Sequence, residues 1–249
     1  MKKRHAIPRR QRADTLLVER GLFESRAKAQ AAIVAGLVTA DAVSVRKASD
    51  TIAVDAVIAA EPAFPWVSRG GVKLDDALAR FGVAVAGRVC LDVGASTGGF
   101  TQVLLARGAR RVYAIDVGTG QLHPCLRDEP KIVSLERTDI RTIDQGQLAE
   151  PPDFITIDVS FISLKPVLPA AFALAARPAH VLALVKPQFE APRTHIKKGI
   201  VRDPAVHEAV VAEIAVYAAS LGCRDIMTFP SPIAGADGNR EFFIGAKLG

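Results

Sequence analysis

The sequence predicts an α/β fold: a doubly wound, mostly parallel sheet of seven strands, preceded by a small α+β domain. Segments of strand character alternate with helical segments from residue 89 to residue 221, as in a parallel sheet with helical crossovers. The last two apolar segments, 223–229 and 240–247, are joined by a loop rich in glycine and proline that holds no helix. Such a short connection makes the last strand antiparallel.

The N-terminal segment has the pattern of two short helices followed by short strands. Residues 12–20 have the apolar spacing of an amphipathic helix, and Ser25 can cap a second helix that continues to Gly36. Two short apolar segments, 37–45 and 51–58, follow as strands. We therefore expect a small domain that follows a basic tail.

Charge divides the chain into two unequal parts. Residues 1–88 hold 15 Lys and Arg against 9 Asp and Glu, whereas residues 89–249 hold 17 of each kind. The net charge of +6 therefore belongs to the N-terminal third. A basic segment before a neutral body indicates a module that binds a polyanion such as RNA. The alternative is a solvated basic tail, because much of the excess lies in the first 12 residues.

Basic residues of this segment match those of a known RNA-binding module. The segment resembles the alpha-L motif, first known from a ribosomal protein, in which the second helix and the following turn track a phosphate backbone. The resemblance implies RNA contacts from five residues: Arg12, Arg26, Lys28, Arg46 and Lys47. The chain departs from the pattern at Ala13, where leucine is common, and at Asp41-Ala42, which replaces an Asn-Gly turn. A small packing domain with incidental charge is the alternative.

A proline-rich stretch separates the small domain from the rest of the chain. We expect a basic tail and small domain over residues 1–61, a linker over 62–68 and a larger α/β domain over 69–249. Trp66, the single tryptophan, is predicted to anchor the junction. The predicted strands of the larger domain are 89–93, 111–116, 131–135, 153–158, 179–186, 223–229 and 240–247. Its predicted helices are 99–108, 165–176 and 204–221, with one more before the first strand.

The stretch LDVGASTGGF, from Leu91 to Phe100, predicts a nucleotide site. It combines a short strand, a glycine turn and a helix whose first N–H groups are free to meet a ligand. An acid, Asp92, precedes the turn, and Ser96 takes the second glycine position of the dinucleotide pattern. A carboxylate there repels a pyrophosphate, but it suits the cationic and amino groups of S-adenosylmethionine.

The residues predicted to hold this cofactor lie at the ends of successive strands. Those expected at its methionine end are Asp92, Gly94, Ser96, Gly98, Gly99 and Phe100. Asp116 is expected at the ribose and Asp139 at the adenine. A plain strand–turn–helix with three glycines is one alternative, and the Gly-x-Ser-x-Gly elbow of serine hydrolases is another. The elbow is disfavoured because it normally follows a central strand, whereas this turn follows the first strand of its domain.

Four charged residues are predicted to meet at the edge where the parallel strands end: Lys73, Asp158, Lys186 and Glu241. Lys73 lies on the helix before the first strand, Asp158 and Lys186 end two parallel strands, and Glu241 begins the antiparallel last strand. The carboxyl ends of parallel strands line the ligand crevice of such a sheet. Singly, each residue is more simply a solvated or capping charge; together they indicate a catalytic group.

The four residues match the Lys-Asp-Lys-Glu tetrad of FtsJ-type RNA 2′-O-methyltransferases. With the N-terminal module, the whole chain resembles the TlyA family, which is also called hemolysin-like. The resemblance covers about residues 12–247 and is carried by VSRGGVKL, DVGASTGGF, DVSFISL, LVKPQFE and KGIVRDP. It implies an S-adenosylmethionine-dependent enzyme, with its methyltransferase domain over 69–249, that methylates ribose 2′-hydroxyls of cytidines in ribosomal RNA.

The chemistry of methyl transfer to a hydroxyl explains the residue types of the tetrad. A ribose 2′-hydroxyl is a poor nucleophile near neutral pH, and its proton must leave during or before methyl transfer. A lysine acts as a base only if burial or a nearby positive charge lowers its pKa, whereas carboxylates raise it. Lys186 is therefore either a base or an electrostatic positioner. Residues expected to hold RNA phosphates beside it are Arg69, Lys197, Lys198 and Arg202, with residues 189–202 as a mobile flap.

Two further functions stay open: a non-catalytic RNA-binding or ribosome-assembly factor on the same fold, and a membrane-active hemolysin. The second is disfavoured because the most apolar run, 166–185, is broken by Pro169, Arg177 and Pro178. Three scattered cysteines without a Cys-x-x-Cys pair predict neither a metal site nor a disulfide framework. We expect a cytoplasmic protein that binds ribosomal RNA or ribosomal subunits and no membrane. Its oligomeric state and its target nucleotide stay open.

Overall fold

The computed structural model describes residues 9–235 and 237–249. Lys2, Lys3 and Arg4 of the predicted basic tail lie outside the described residues. The chain divides into two compact units after residue 65, within the stretch predicted as a linker. Each unit has its own hydrophobic core.

The first unit, Met1–Pro65, contains two short helices and five short strands in its described part. The elements are β1 (Arg10–Arg12), α1 (Ala13–Glu19), α2 (Arg26–Val34), β2 (Val38–Ala40), β3 (Val43–Ser44), β4 (Thr51–Ala53) and β5 (Ile58–Ala60). Strand β1 pairs with β4, and β3, β2 and β5 form a three-stranded antiparallel sheet. Ser25 caps α2, as predicted, by accepting the Lys28 N–H at 3.3 Å. Leu17 and Ile33 of the two helices meet in the core.

A tight turn without glycine joins β2 to β3. Asp41 and Ala42 both have left-handed backbones, with φ of +49° and +63°. The Asp41 carboxylate accepts the Val57 N–H at 2.9 Å, which ties the turn to the segment before β5. The Asp-Ala pair therefore takes the conformation for which an Asn-Gly pair is better suited.

The second unit, Trp66–Gly249, contains one sheet and helices on both of its faces. Its helices are α3 (Arg69–Phe81), α4 (Gly99–Ala106), α5 (Pro124–Arg127), α6 (Leu164–Leu174), α7 (Pro187–Glu190) and α8 (Pro204–Ser220). Its strands are β6 (Val89–Val93), β7 (Arg111–Ile115), β8 (Ile132–Leu135), β9 (Phe154–Ile157), β10 (Ala179–Val185), β11 (Cys223–Pro230) and β12 (Phe242–Leu248). Short 3₁₀ turns cover Ile140–Thr142, Gln145–Gln147 and Arg193–His195.

The sheet has seven strands in the order β11-β12-β10-β9-β6-β7-β8. Strands β6 to β10 are parallel, whereas β12 is antiparallel to both of its neighbours. The predicted fold class is therefore confirmed, and the predicted strands and helices of this unit lie within two residues of the observed ends. Helices α5 and α7 were not predicted, because four residues are too few to show helical periodicity.

The central strands are apolar on both faces, as a doubly wound sheet requires. Leu91, Ile155 and Ile157 face the core beneath α6 and α8, while Phe154 and Leu184 face the core beneath α3 and α4. Polar residues in these strands are therefore confined to the strand ends and to a few interior positions. The edge at which the parallel strands end is where the site residues gather.

Candidate active site

Three of the four predicted catalytic residues lie next to the ends of neighbouring strands. Asp158 follows β9, Lys186 follows β10 and Glu241 precedes β12. Strands β9 and β10 are parallel, and β12 is antiparallel to β10 with Phe242 opposite Val185. This register puts Glu241 beside Lys186 and all three residues at one edge of the sheet.

The four charged side chains form two ion pairs. Lys73 Nζ lies 2.5 Å from Glu241 Oε2, and Lys186 Nζ lies 2.7 Å from Asp158 Oδ1. Lys186 Nζ also donates a hydrogen bond of 2.8 Å to the hydroxyl of Ser160, a partner that was not predicted. Lys73, Lys186 and Glu241 are buried. Such pairing is needed because an isolated charge is costly to remove from water.

Helix α3 positions Lys73. Its residues Leu74 and Ala77 are fully buried beneath the sheet. Trp66 packs directly on the first turn of this helix, since a Cβ at Gly71 would lie 2.3 Å from the indole Cγ. Trp66, predicted to anchor the junction, thus contacts α3 within the second unit, and a larger residue in place of Gly71 would displace the turn that precedes Lys73.

A cavity of about 500 Å³ opens at this edge of the sheet. Its walls come from the loops that follow β6, β7 and β9 and from the segment around residue 139. The lining includes four predicted cofactor residues and one predicted catalytic residue: Gly94, Ser96, Asp116, Asp139 and Asp158. A cavity of this size is typical of small-molecule sites.

The glycine turn after β6 approaches the neighbouring loop closely. Gly94 has a φ of +83°, and a Cβ there would lie 2.5 Å from the carbonyl oxygen of Asp158. The Asp116 carboxylate accepts the Ser96 N–H at 2.8 Å and the Gly118 N–H at 2.7 Å. A carboxylate has about four acceptor positions. Asp116 therefore keeps acceptor capacity for a ligand in the cavity.

Asp139 and Arg141 lie together in the cavity wall. Arg141 Nη2 lies 2.5 Å from Asp139 Oδ2, and the Arg141 backbone N–H donates to the other carboxylate oxygen at 3.0 Å. The hydrogen bond from the guanidinium holds the pKa of Asp139 below its usual value. The expected adenine-binding carboxylate is therefore a charged acceptor that already has a cationic neighbour.

Four residues expected to contact the cofactor lie outside the cavity: Asp92, Gly98, Gly99 and Phe100. Phe100 is buried in the core, where its ring stacks on Phe243 with centroids 6.3 Å apart. A Cβ at Gly98 would lie 2.4 Å from Leu126 Cδ1, and one at Gly99 would lie 2.2 Å from Ser68 Oγ. Both glycines therefore permit close packing at the start of α4, and their contact with the cofactor stays a prediction.

Asp92 turns away from the cavity into the protein interior, because it lies within β6 and its side chain alternates with those of its neighbours. Its carboxylate accepts hydrogen bonds from the hydroxyls of Thr101 at 2.6 Å and Thr156 at 3.0 Å. Burial raises the pKa of Asp92 to about 7. It lies where it can support the glycine turn, and it does not reach the cavity.

Arg12 and Arg26 of the first unit share one acidic partner. The buried carboxylate of Asp14 lies 3.1 Å from the Arg12 guanidinium and 2.6 Å from the Arg26 guanidinium. Gln30 Nε2 donates to the same carboxylate at 2.9 Å. Both guanidiniums stay about half exposed, so each is held on one side by Asp14 while the other side faces solvent.

The other predicted RNA-binding residues are Lys28, Arg46, Lys47, Arg69, Lys197, Lys198 and Arg202. Lys28 pairs with Glu24 at 2.6 Å, and Arg69 donates to the carbonyl of Ala234. Arg46, Lys47, Lys197, Lys198 and Arg202 are exposed. Most of these residues therefore present their charge to solvent, as an RNA-binding surface needs.

Residues 189–202, predicted as a mobile flap, end in a turn that is anchored to the loop before β12. Lys197 and Ile200 form an antiparallel bridge around the turn. Buried Asn239, which was not predicted, accepts the Val201 N–H at 3.1 Å and donates to the Gly199 carbonyl at 2.9 Å. The end of the segment that presents Lys197 is therefore tied to the loop that carries Glu241.

Phe161 is a further residue that was not predicted. Its ring lines the cavity, 90% of the residue is exposed, and its φ is +65°. The ring contacts that of Phe189, with centroids 5.1 Å apart. A large exposed aromatic side chain in a strained backbone position is a candidate ligand contact. The DVSFISL motif places this aromatic residue three positions after Asp158, but the motif alone does not show that the ring is exposed.

Within residues 9–235 and 237–249, no helix has the length and apolar character needed to cross a membrane. The same residues hold no group of His, Cys, Asp and Glu side chains that could bind a metal ion. The Gly-x-Ser-x-Gly stretch follows β6, which is the first strand of this sheet along the chain. That order differs from a serine hydrolase, in which several strands precede the elbow.

Comparison with known proteins adds independent evidence. The chain matches the FtsJ-like methyltransferase family over residues 66–248. It is 46% identical over 243 residues to the 16S/23S rRNA (cytidine-2′-O)-methyltransferase TlyA of Mycobacterium tuberculosis, covering 96% of this chain and 90% of that protein. It is 39% identical over 233 residues to Hemolysin A of Brachyspira hyodysenteriae, covering 93% and 97%. A solved structure of a hemolysin-named protein from Streptococcus thermophilus aligns with a TM-score of 0.77 and 40% identity, covering 98% and 90%.

Proposed function

The chain belongs to the family of FtsJ-like methyltransferases, and we propose that it transfers a methyl group from S-adenosylmethionine to a ribose 2′-hydroxyl of ribosomal RNA. The observation that carries the proposal is the pair of lysine–carboxylate contacts, Lys73 with Glu241 and Lys186 with Asp158. Asp158 also lines the cavity formed by the glycine turn. This arrangement of two lysines and two carboxylates at the edge of the cavity supports a role in activating the acceptor hydroxyl.

The residues of the cavity fit S-adenosylmethionine. Gly94 lines the cavity in a left-handed conformation, and its lack of a side chain lets the turn pack against the loop after β9. Asp116 is the acceptor for the ribose hydroxyls, and Asp139 is the acceptor for the adenine amino group. When bound, the cofactor supplies an electrophilic methyl group on a cationic sulfur.

Lys186 is assigned the position beside the 2′-oxygen. Its Nζ is fixed from two sides, by Asp158 and by Ser160, so it does not need to be ordered when the substrate binds. A preorganised ammonium would stabilise the negative charge that develops on the 2′-oxygen as its proton passes to solvent and the oxygen attacks the methyl carbon. The carbon–sulfur bond of the cofactor would break in the same step, which leaves S-adenosylhomocysteine. Lys73 and Glu241 form the second ion pair, and the β10–β12 register puts Glu241 beside Lys186. Positioning of the hydroxyl supplies much of the remaining acceleration.

The relatives and the surface residues support ribosomal RNA as the substrate, with cytidine as the target nucleoside. The Mycobacterium tuberculosis relative is named for cytidine in 16S and 23S rRNA, and its match covers both units of this chain. The exposed ring of Phe161 offers a face on which an unpaired base can stack. Exposed cations near the active site and in the first unit, among them Lys197 and Arg46, suit RNA phosphates.

A methyl-transfer assay tests the proposal. Ribosomal subunits and free rRNA from cells that lack this protein are incubated with the purified chain and tritiated S-adenosylmethionine, and 2′-O-methyl marks are mapped. Wild-type protein is expected to label cytidine. Lys186→Ala is expected to keep cofactor affinity within about twofold and to lose at least ~10²-fold in kcat, because it removes a group that acts in the transition state.

Lys247→Ala is the matched control, since Lys247 is an exposed lysine at the other end of the same β10–β12 ladder. It is expected to retain wild-type activity. Wild-type turnover by Lys186→Ala would overturn the catalytic assignment. RNA binding by the wild-type protein without any methyl transfer would favour a non-catalytic assembly factor.

A further inference from the structure

Glu190 bridges the loops that follow β9 and β10, which the ion pair between Asp158 and Lys186 also bridges. It is the last residue of α7, in the segment that follows β10. Its Oε2 accepts the Ser163 hydroxyl at 2.5 Å, and its Oε1 accepts the Leu164 N–H at 2.7 Å. Ser163 and Leu164 begin α6, in the segment that follows β9. One carboxylate therefore bridges the two loops that leave neighbouring parallel strands.

The same two loops carry one of the ion pairs of the active site. Asp158 and Ser160 precede α6, and Lys186 immediately precedes α7. The Lys186 contacts with Asp158 and Ser160 form one cross-link, and the Glu190 contacts form a second cross-link farther along both loops. A single ion pair permits one loop to rotate about the contact or to slide past the other loop. Two cross-links between the same pair of loops restrict both movements.

We propose that Glu190 is a positioning residue for methyl transfer, holding the loop of Lys186 at a fixed distance from the loop of Asp158. This inference rests on the function proposed above. Glu190 does not touch the reacting atoms; it acts through α7, whose first residue follows Lys186. A displacement of about 1 Å at a reacting group can cost about 10²-fold in rate. Loss of the bridge is therefore expected to lower kcat.

The competing explanation is that Glu190 only caps α6. Its carboxylate lies at the N-terminus of that helix, where a negative charge is stabilising. A simple cap contributes to stability and leaves kcat of the folded enzyme unchanged. Glu213 separates the two explanations, because it pairs with Lys165 in the same first turn of α6 at 2.5 Å. Glu213 reaches α6 from α8, and its contact does not involve the loop of Lys186.

Three variants test the proposal in the full chain: Glu190→Ala, Glu190→Gln and Glu213→Ala. Glu190→Ala is expected to lower kcat for methyl transfer about 10- to 100-fold, with cofactor Kd and RNA KM within about twofold. Glu190→Gln is expected to recover most of the rate, since its amide can accept the Leu164 N–H and donate to Ser163. Glu213→Ala is expected to keep the wild-type kcat.

Hydrogen exchange followed by mass spectrometry gives a readout that does not require activity. Glu190→Ala is expected to speed amide exchange in residues 158–164 and 185–191, while Glu213→Ala changes neither peptide. A Glu190→Ala enzyme with wild-type kcat, or with unchanged exchange in both peptides, would overturn the proposal. A wild-type protein that transfers no methyl group would refute the proposed function, and the exchange data would still decide whether the bridge exists.

Discussion

Each unit of the molecule buries one aspartate completely, and the pKa values of the two carboxylates are shifted in opposite directions. Asp14 in the first unit and Asp92 in the second are both 0% exposed. The hydrogen bond from the Arg12 guanidinium is the largest influence on Asp14 and holds its pKa far below the usual range. Asp92 receives hydrogen bonds from two threonine hydroxyls, and burial raises its pKa to about 7.

The difference shows that burial alone does not decide whether a carboxylate is charged. Charged donors compensate the loss of hydration, whereas neutral hydroxyls compensate it only in part. Asp14 is therefore a permanent anion that orders two guanidiniums on the surface of the small unit. Asp92 is an interior acid that titrates close to neutral pH.

The largest effect is expected from Asp92→Asn at alkaline pH. The folded-state pKa of about 7 exceeds the reference value of 3.8, so the folded state retains a proton that the unfolded state has lost. Wild-type stability should therefore fall between about pH 4 and pH 7 and stay low above it. The asparagine side chain cannot ionise, so the variant should gain up to about 4 kcal/mol relative to wild type at pH 8.

Urea unfolding of the second unit, followed by the fluorescence of Trp66, measures this effect at pH 5 and pH 8. At pH 5 the variant should gain only about 2 kcal/mol, because wild-type stability has fallen only part of the way at that pH. A difference that is the same at both pH values would show that Asp92 does not titrate in this range.

A somewhat smaller effect is expected from Asp14→Asn. The change removes the anion shared by Arg12 and Arg26 and is expected to destabilise the first unit by about 3 kcal/mol. Because the wild-type pKa is lowered, the Asp14 contribution is present above the unfolded-state pKa and is lost only as the solution becomes strongly acidic. The two aspartates thus predict opposite pH trends for the two units.

Hydrogen exchange of the α1 and α2 amides in the full chain measures the stability of the first unit. Glu19→Gln, at an exposed position of α1, is the control and should leave exchange unchanged. RNA affinity should also fall in Asp14→Asn, because two guanidiniums lose their fixed orientation. Unchanged exchange and unchanged affinity together would show that Asp14 orders neither arginine.

The smallest effect is expected at the turn between β2 and β3. Ala42 has a φ of +63°, which costs a residue with a side chain about 1 kcal/mol relative to glycine. Ala42→Gly should therefore stabilise the first unit by up to about 1 kcal/mol, reduced by the greater flexibility of glycine in the unfolded chain. The same exchange measurement reads this gain, and slower exchange of the α1 and α2 amides in the variant is the expected sign. Faster exchange would mean that the turn is not strained.

Much of the second unit could be predicted from the sequence because each of its strands is a separate apolar run and three of the four tetrad residues follow or precede such a run. The predicted cofactor residues fall into two groups. Gly94 and Asp116 lie in loops and reach the cavity, whereas Asp92 lies one residue before the end of β6 and Phe100 lies within α4. Which way a side chain points at such a boundary depends on register and packing, which the local pattern does not contain.

Glu190 and Asn239 could not be predicted for a different reason. Their partners lie 26 and 38 residues away along the chain. Nothing in the neighbouring sequence marks either residue as a contact between loops. Phe161 is similar, since an aromatic residue in an apolar motif has the pattern of a core residue until its position outside the core is known.

The place of β12 between β10 and β11 has a consequence for biosynthesis. Strand β12 is synthesised after every other strand of this sheet. Its two neighbours, β10 and β11, are therefore made before the strand that pairs with both of them. Glu241 arrives with β12, and an unfinished nascent chain that stops earlier has no such carboxylate to offer Lys73. Domains fold as units during synthesis. The ion pair between Lys73 and Glu241 therefore cannot form until β12 has been made, after the other six strands of the sheet.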